Sequence, residues 1–244
     1  MEDVLVAAGI GAAALAASTL AAVAGFGGAA IMLPVLVWAF GIVDAVPILT
    51  IAQLMSNLSR VWFNRTELSF SVVKWFGLGA VPAAIVGGII FATAPAGALV
   101  RVLGTFLLLM VAYRHSPWGK SIRISLRGFL PLGATSGTIS ALVGVVGPFM
   151  APFFLAYGLV KGAYIGTEAL ATVLMHVTKL AVYGSYSLID LNTGLVGLAI
   201  GSVMFVGSYL GKQILTRLPE AQFPLVIDAV LVAAGVLFLV RGAQ

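Results

Sequence analysis

Two stretches of this chain line up polar and charged side chains along one face of an otherwise apolar helix. At 3.6 residues per turn, Gln53, Asn57, Arg60 and Asn64 fall within a narrow wedge, as do Glu168, Thr172, His176, Lys179 and Tyr183. A charge at the centre of a lipid-exposed helix costs ~2.5–3.5 kcal/mol on insertion scales, so both stripes are expected to face a protein interior. Arginine offers a planar fork of donors and lysine a compact point charge, and both suit an oxyanion. Asn57 and His176, a turn from those cations, add donors, and Gln53 and Thr172 continue the stripes. The chemistry this pattern supports is anion binding. Competing readings accompany each group. Arg60 and Lys179 are long enough to snorkel to a surface, and His176 is either packed against a backbone carbonyl or available to the anion and to pH. Glu168 is either a proton-coupling carboxylate, the partner of Lys179 or Lys161, or simply solvated near the cytoplasmic end.

The two stripes are related. Thr19, Gly25, Gly28, Gln53, Asn57, Arg60 and Asn64 have counterparts 119 residues further on in Thr138, Gly144, Gly147, Thr172, His176, Lys179 and Tyr183. This spacing predicts a duplicated unit: a first repeat over 1–114, a basic linker over 115–127 and a second repeat over 128–244. Each repeat carries a glycine cluster, Gly25-Phe26-Gly27-Gly28 or Gly144-Val145-Val146-Gly147, before a short segment containing Pro34, or Pro148 and Pro152. Glycine permits unusual backbone angles and proline removes a donor, so these segments read as broken or re-entrant helices. Their first turns, at 28–31 and 147–150, are then expected to aim free amides and a helix dipole at an anion, with Gly27, Gly28, Gly147 and Pro148 in the shell. Close-packing notches between helices are the alternative use of such glycines.

The elements that must hold these stripes are set by composition. The 244 residues are 61% hydrophobic and 9% charged, with mean hydropathy +1.14. A soluble domain carries roughly 25% charged residues. An integral membrane protein follows, and its apolar runs are far longer than the ~10-residue alternating strands of an outer-membrane barrel. The expected fold is all-α, a polytopic membrane helical bundle with an inverted-topology internal repeat. Helices are expected at 4–24, 28–41, 44–64, 70–92, 97–114, 128–146, 148–159, 161–184, 193–212 and 222–240. The segments 28–41 and 148–159 are too short to span ~30 Å of hydrocarbon. The basic loops at 65–74, 114–127 and 212–217 belong in the cytoplasm, which puts acidic Glu2 and Asp3 on the outer, periplasmic side. An odd number of segments per half makes the two copies run in opposite directions. Arg101 and Asp228 occupy matching places in the last helix of each half, as anchors or interface pairs. Trp38, Trp62, Trp75 and Trp118 sit near segment ends, as interfacial aromatics do.

Several classes drop out. No cysteine is present, which excludes thiolate metal sites and cysteine catalysis. Neither glycine cluster is a nucleotide loop, and no metal or cofactor motif is visible. The net charge of +5 lies mostly in loops and does not call for nucleic acid. An enzyme using His176 and Glu168 as acid and base lacks a nucleophile or metal to act with. The partners expected are a small anion and the lipid bilayer, with a homo-oligomer left open.

The glycine breaks Ala24-Gly25-Phe26-Gly27-Gly28 through Pro34, and Gly144 through Pro152 with Gly166-Thr167, resemble those of the sulfite exporter TauE/SafE family of bacterial membrane transporters. The openings at Glu67 and Asp190, each followed by a glycine-rich helix, resemble it too. The resemblance covers nearly the whole chain. It implies export of a small sulfur-containing anion, most readily sulfite, across the bacterial inner membrane. Val145 and Val146 stand where that family commonly has glycines, and Glu168 where a small residue is usual. The resulting expectation is a secondary transporter working by alternating access. An organosulfonate or small carboxylate transporter, or an anion channel, is the alternative.

Overall fold

The computed structural model describes residues 2–24, 28–116 and 123–214, with the isolated positions 232 and 236. Every regular element among the described residues is helical: α1 (Glu2–Ala24), α2 (Gly28–Phe63), α3 (Phe70–Thr93), α4 (Ala96–His115), α5 (Phe129–Val143), α6 (Gly147–Ala156), α7 (Lys161–Ser185) and α8 (Leu191–Ile214), with a single 3-10 turn before α5. Six of these, all but α5 and α6, are long and apolar enough to cross a membrane. The protein is an all-α polytopic membrane bundle. Helices dominate because a lipid-embedded backbone has no water to bond and must satisfy itself within each segment.

The expected breaks are present, with shifted edges. Segments 28–41 and 44–64 form one continuous element, α2, whose axis breaks at Gly41 (φ 75, ψ 165). An L side chain rarely adopts that angle, and glycine does so without a steric cost. Helix α5 stops at Val143 rather than 146 because Gly144 turns left-handed (φ 78) and donates its amide to the Ser140 carbonyl at 2.9 Å. Pro148 sits in the first turn of α6, where a missing donor costs nothing. That helix is ten residues long, shorter than the expected 148–159. Asp190 caps α8, its carboxylate accepting the Thr193 amide at 2.7 Å. This bond holds the Asp190 carboxyl below its ordinary pKa. The expected helix at 222–240, with Asp228, and Trp118 lie outside the described residues.

Small residues set the packing. Helix α3 lies against α5, where a Cβ on Gly133 would land on the Phe76 carbonyl oxygen. Helix α1 lies against α8 in the same way, where a Cβ on Gly207 would strike the Ser18 hydroxyl. Backbone-to-backbone approach of this kind is how helices associate in lipid, where no hydrophobic drive exists between them. Helix α2 also packs on α8, joined by the Ser56 and Ser208 hydroxyls at 3.0 Å, and α7 packs on α3. The two polar-striped helices, α2 and α7, meet at the centre and run antiparallel, with Asn64 against Gly166 and Arg60 against Glu168. Trp38 and Trp62 stand exposed on the outside, and the Arg65 guanidinium lies 4.5 Å above the Trp62 ring.

Candidate functional site

The stripe on α2 is buried from Gln53 to Arg60, and Asn64 stands half-buried in the turn just past the helix. Gln53, Asn57 and Arg60 are each at most 5% exposed, so Arg60 does not snorkel. The Asn57 and Arg60 side chains are each tied to neighbours. Asn57 donates to the Gln53 carbonyl at 2.8 Å, and its amide oxygen accepts from Arg60 Nη2. Arg60 Nη1 then reaches across to Glu168 Oε2 on α7 at 3.6 Å. Thr172 donates to the other Glu168 oxygen at 3.3 Å. The carboxylate expected to pair with Lys179 or Lys161 is thus paired with the cation of the other stripe. A helix period describes neighbours on one rod and is blind to the rod packed opposite.

These groups wall a cavity of about 40 Å³ between α2 and α7. Gln53, Asn57, Arg60, Glu168, Thr172 and His176 line it from the two long helices. Gly28 and Ala29 line it from the start of α2, Gly147 and Pro148 from the start of α6, and Ala21 and Ser140 from α1 and α5. Two wall nitrogens, Gln53 Nε2 and His176 Nδ1, are buried and have no hydrogen-bond partner among the described residues. Leaving a buried polar group unmet costs about 1–3 kcal/mol, so these two nitrogens are the wall atoms with the most to gain from an occupant. His176 is therefore not held at Nδ1 by a backbone carbonyl. Gly27 lies outside the described residues.

Lys179 is the exception among the expected site residues. It is fully buried, yet it does not line the cavity. Its ammonium donates to the Ser140 carbonyl at 3.2 Å and hydroxyl at 3.1 Å, on α5. At 1.5 Å rise per residue, Lys179 stands roughly 16 Å along α7 from Glu168. Arg60 and Lys179 therefore lie at different levels rather than face to face. Tyr183, a turn beyond, donates to the Ala141 carbonyl at 2.6 Å.

The amides expected at 147–150 are mostly spent. Phe149 and Met150 both donate to the Val146 carbonyl, at 3.0 and 3.1 Å, and Pro148 has no amide. Among the described residues, Gly147 is the one of the four whose amide has no backbone acceptor. Ser140 was not anticipated. Its signal was available in the small-residue series Gly133, Gly137, Ser140 and Gly144 along one face of α5, which points a hydroxyl at the glycine break.

Compared with known protein families, residues 10–238 match the model described as sulfite exporter TauE/SafE. No curated protein and no solved structure matches the chain.

Proposed function

The chain belongs to the sulfite exporter TauE/SafE family, and from that premise we propose that it carries sulfite, or a sulfur oxyanion of similar size, by alternating access. The family name describes a membrane transporter of sulfur anions, and the six long apolar helices agree with a multi-pass membrane protein. The observation that carries the finer reading is a buried guanidinium on a cavity wall beside two unpartnered nitrogens. Those donors match an oxyanion and would repel a cation. In this reading Arg60 and Asn57 hold the anion, Gln53, His176 and Thr172 complete its shell, and Gly28, Gly147 and Pro148 let the backbone come close. Lys179 adds positive field from behind Ser140.

Size supports sulfite over a tailed organosulfonate. A water needs ~10–15 Å³ of such volume, so the cavity admits roughly three water-sized groups. Alternating access draws support from how the walls pair. Ala21 and Ser140, Gly28 and Gly147, Ala29 and Pro148, Gln53 and Thr172, and Asn57 and His176 all line the cavity, each pair 119 residues apart. The packing has the same exchange pattern, α1 on α8 matching α5 on α3, and α2 on α8 matching α7 on α3. Two inverted repeats around a shared site, one rocking on the other, would produce both patterns. We place the protein in the inner membrane with its N-terminus outside.

Proteoliposomes loaded with sulfite, sulfate, chloride or sodium test the reading. Saturable sulfite flux that exceeds the other three and is lost in Arg60→Gln is expected. Equal flux of all four ions would overturn it.

A further inference from the structure

Glu168 shares the cavity with the cation that the substrate needs. Its carboxylate is 3% exposed, 3.6 Å from Arg60 Nη1, and steadied by Thr172 at 3.3 Å. We propose that Glu168 is an internal competitor for the transported anion, released from Arg60 by protonation, so that each anion crosses with one proton. This rests on the sulfite-carrier reading above.

The cavity is too small for two negative charges to keep apart. An anion on Arg60 would stand ~4 Å from an ionised Glu168, a repulsion worth roughly a thousandfold in affinity at an effective dielectric of 20. The carboxylate could escape by swinging away or by losing its charge. Swinging away has no destination: Arg60 from α2 and His176 from α7 are the remaining titratable groups on the cavity wall among the described residues. Tyr164 lies one turn back on α7, and its hydroxyl has no hydrogen-bond partner among the described residues. Lys179 is roughly 16 Å along the helix and already committed to Ser140 on α5. The wall residues from α5 and α6 carry no charge.

Protonation removes the conflict locally. One O–H bond forms at a Glu168 oxygen, the guanidinium turns to the anion, and the new hydroxyl becomes a donor for it. When the anion departs, Arg60 recaptures the carboxylate and the proton leaves. The proton is taken from hydronium or water on the side the site faces and given back to water on release, so one O–H bond breaks for each that forms. The empty protein stays closed by its own ion pair, and an anion without a proton finds the site occupied.

Calorimetry of sulfite binding to the purified full chain, in buffers of different ionisation enthalpy, counts the protons taken up. Wild type and Glu168→Gln are compared at one pH, so that protons gained by sulfite itself cancel. Wild type is expected to take up about one proton more per sulfite than the variant. The variant is expected to bind at least about tenfold tighter at alkaline pH and to lose the extra pH slope. Equal proton counts and equal slopes would overturn the proposal and leave the carrier reading standing. Should the variant not fold, wild type alone decides: no proton uptake beyond that of sulfite, across the neutral range, overturns it. A wild type that binds no sulfite would overturn the carrier reading and this inference with it.

Discussion

Replacing Arg60 by glutamine removes one partner of a buried pair and leaves Glu168 facing a neutral amide. At 3.6 Å and an effective dielectric of 20, the lost attraction is about 5 kcal/mol by Coulomb's law. Breaking buried pairs from one side generally costs about 3–5 kcal/mol, because the surviving charge is stranded. For a chain of this size 1 kcal/mol moves Tm by roughly 2–4 °C, so the single variant should melt on the order of 10 °C lower in detergent. Adding Glu168→Gln to Arg60→Gln removes the stranded charge, and two amides fit where the pair stood. The double variant should therefore recover at least about half of the lost stability, a coupling of roughly 2–3 kcal/mol. It should still carry no sulfite, because the cation is gone. Thermal unfolding of the four proteins, read by size exclusion, closes the cycle. Losses that simply add would mean the two side chains do not sense each other, and the ion pair would cease to explain the site.

Lys179→Met should lower stability by about 1–3 kcal/mol, since it strands the Ser140 oxygens, yet weaken sulfite binding less than Arg60→Gln does; thermal unfolding and calorimetry on the same preparations separate the two effects. Gly28→Val should close the cavity, because even a Cβ there meets the Ala17 carbonyl at 3.2 Å and Gln53 Nε2 at 3.5 Å; sulfite binding is expected to vanish while a monodisperse elution profile is kept. Gly133→Leu should fail to give folded protein, as the added side chain meets the α3 backbone, and recovery of a normal profile would show that α3 and α5 can separate cheaply. Asp190 is held below its ordinary pKa by the Thr193 amide. Its cap therefore stabilises α8 above about pH 3.9, the unfolded value, and is lost as pH falls through the lower folded value. Hydrogen exchange at Thr193 should speed up over that acid range and be fast at all pH in Asp190→Ala.

Much of this was visible in residue order alone. The charge-poor composition fixed a membrane bundle, and the second glycine cluster marked where a helix breaks, because few other residues accept the angle found at Gly144. Helix periodicity grouped Gln53, Asn57 and Arg60, and separately Glu168, Thr172 and His176, since those groupings depend on one helix at a time. Two things depended on tertiary packing and were not legible: Glu168 found its partner on α2, and Lys179 turned to α5. The α6 amides closed locally on Val146 instead of pointing outward. Helix edges moved by a few residues where a left-handed glycine, rather than the end of an apolar run, stopped the helix.

The glycine contacts between α3 and α5, and between α1 and α8, have a mechanical consequence. Backbones pressed together without intervening side chains have little volume to rearrange, so each pair should travel as one piece. With α7 packed on α3 and α2 on α8, the molecule sorts into two three-helix blocks. Each block borrows one helix from the opposite end of the chain: α3 joins α5 and α7, while α8 joins α1 and α2. Neither half of the polypeptide could therefore build a block by itself. The face where these blocks meet, between α2 and α7, is the one that holds the Arg60–Glu168 pair and the chamber.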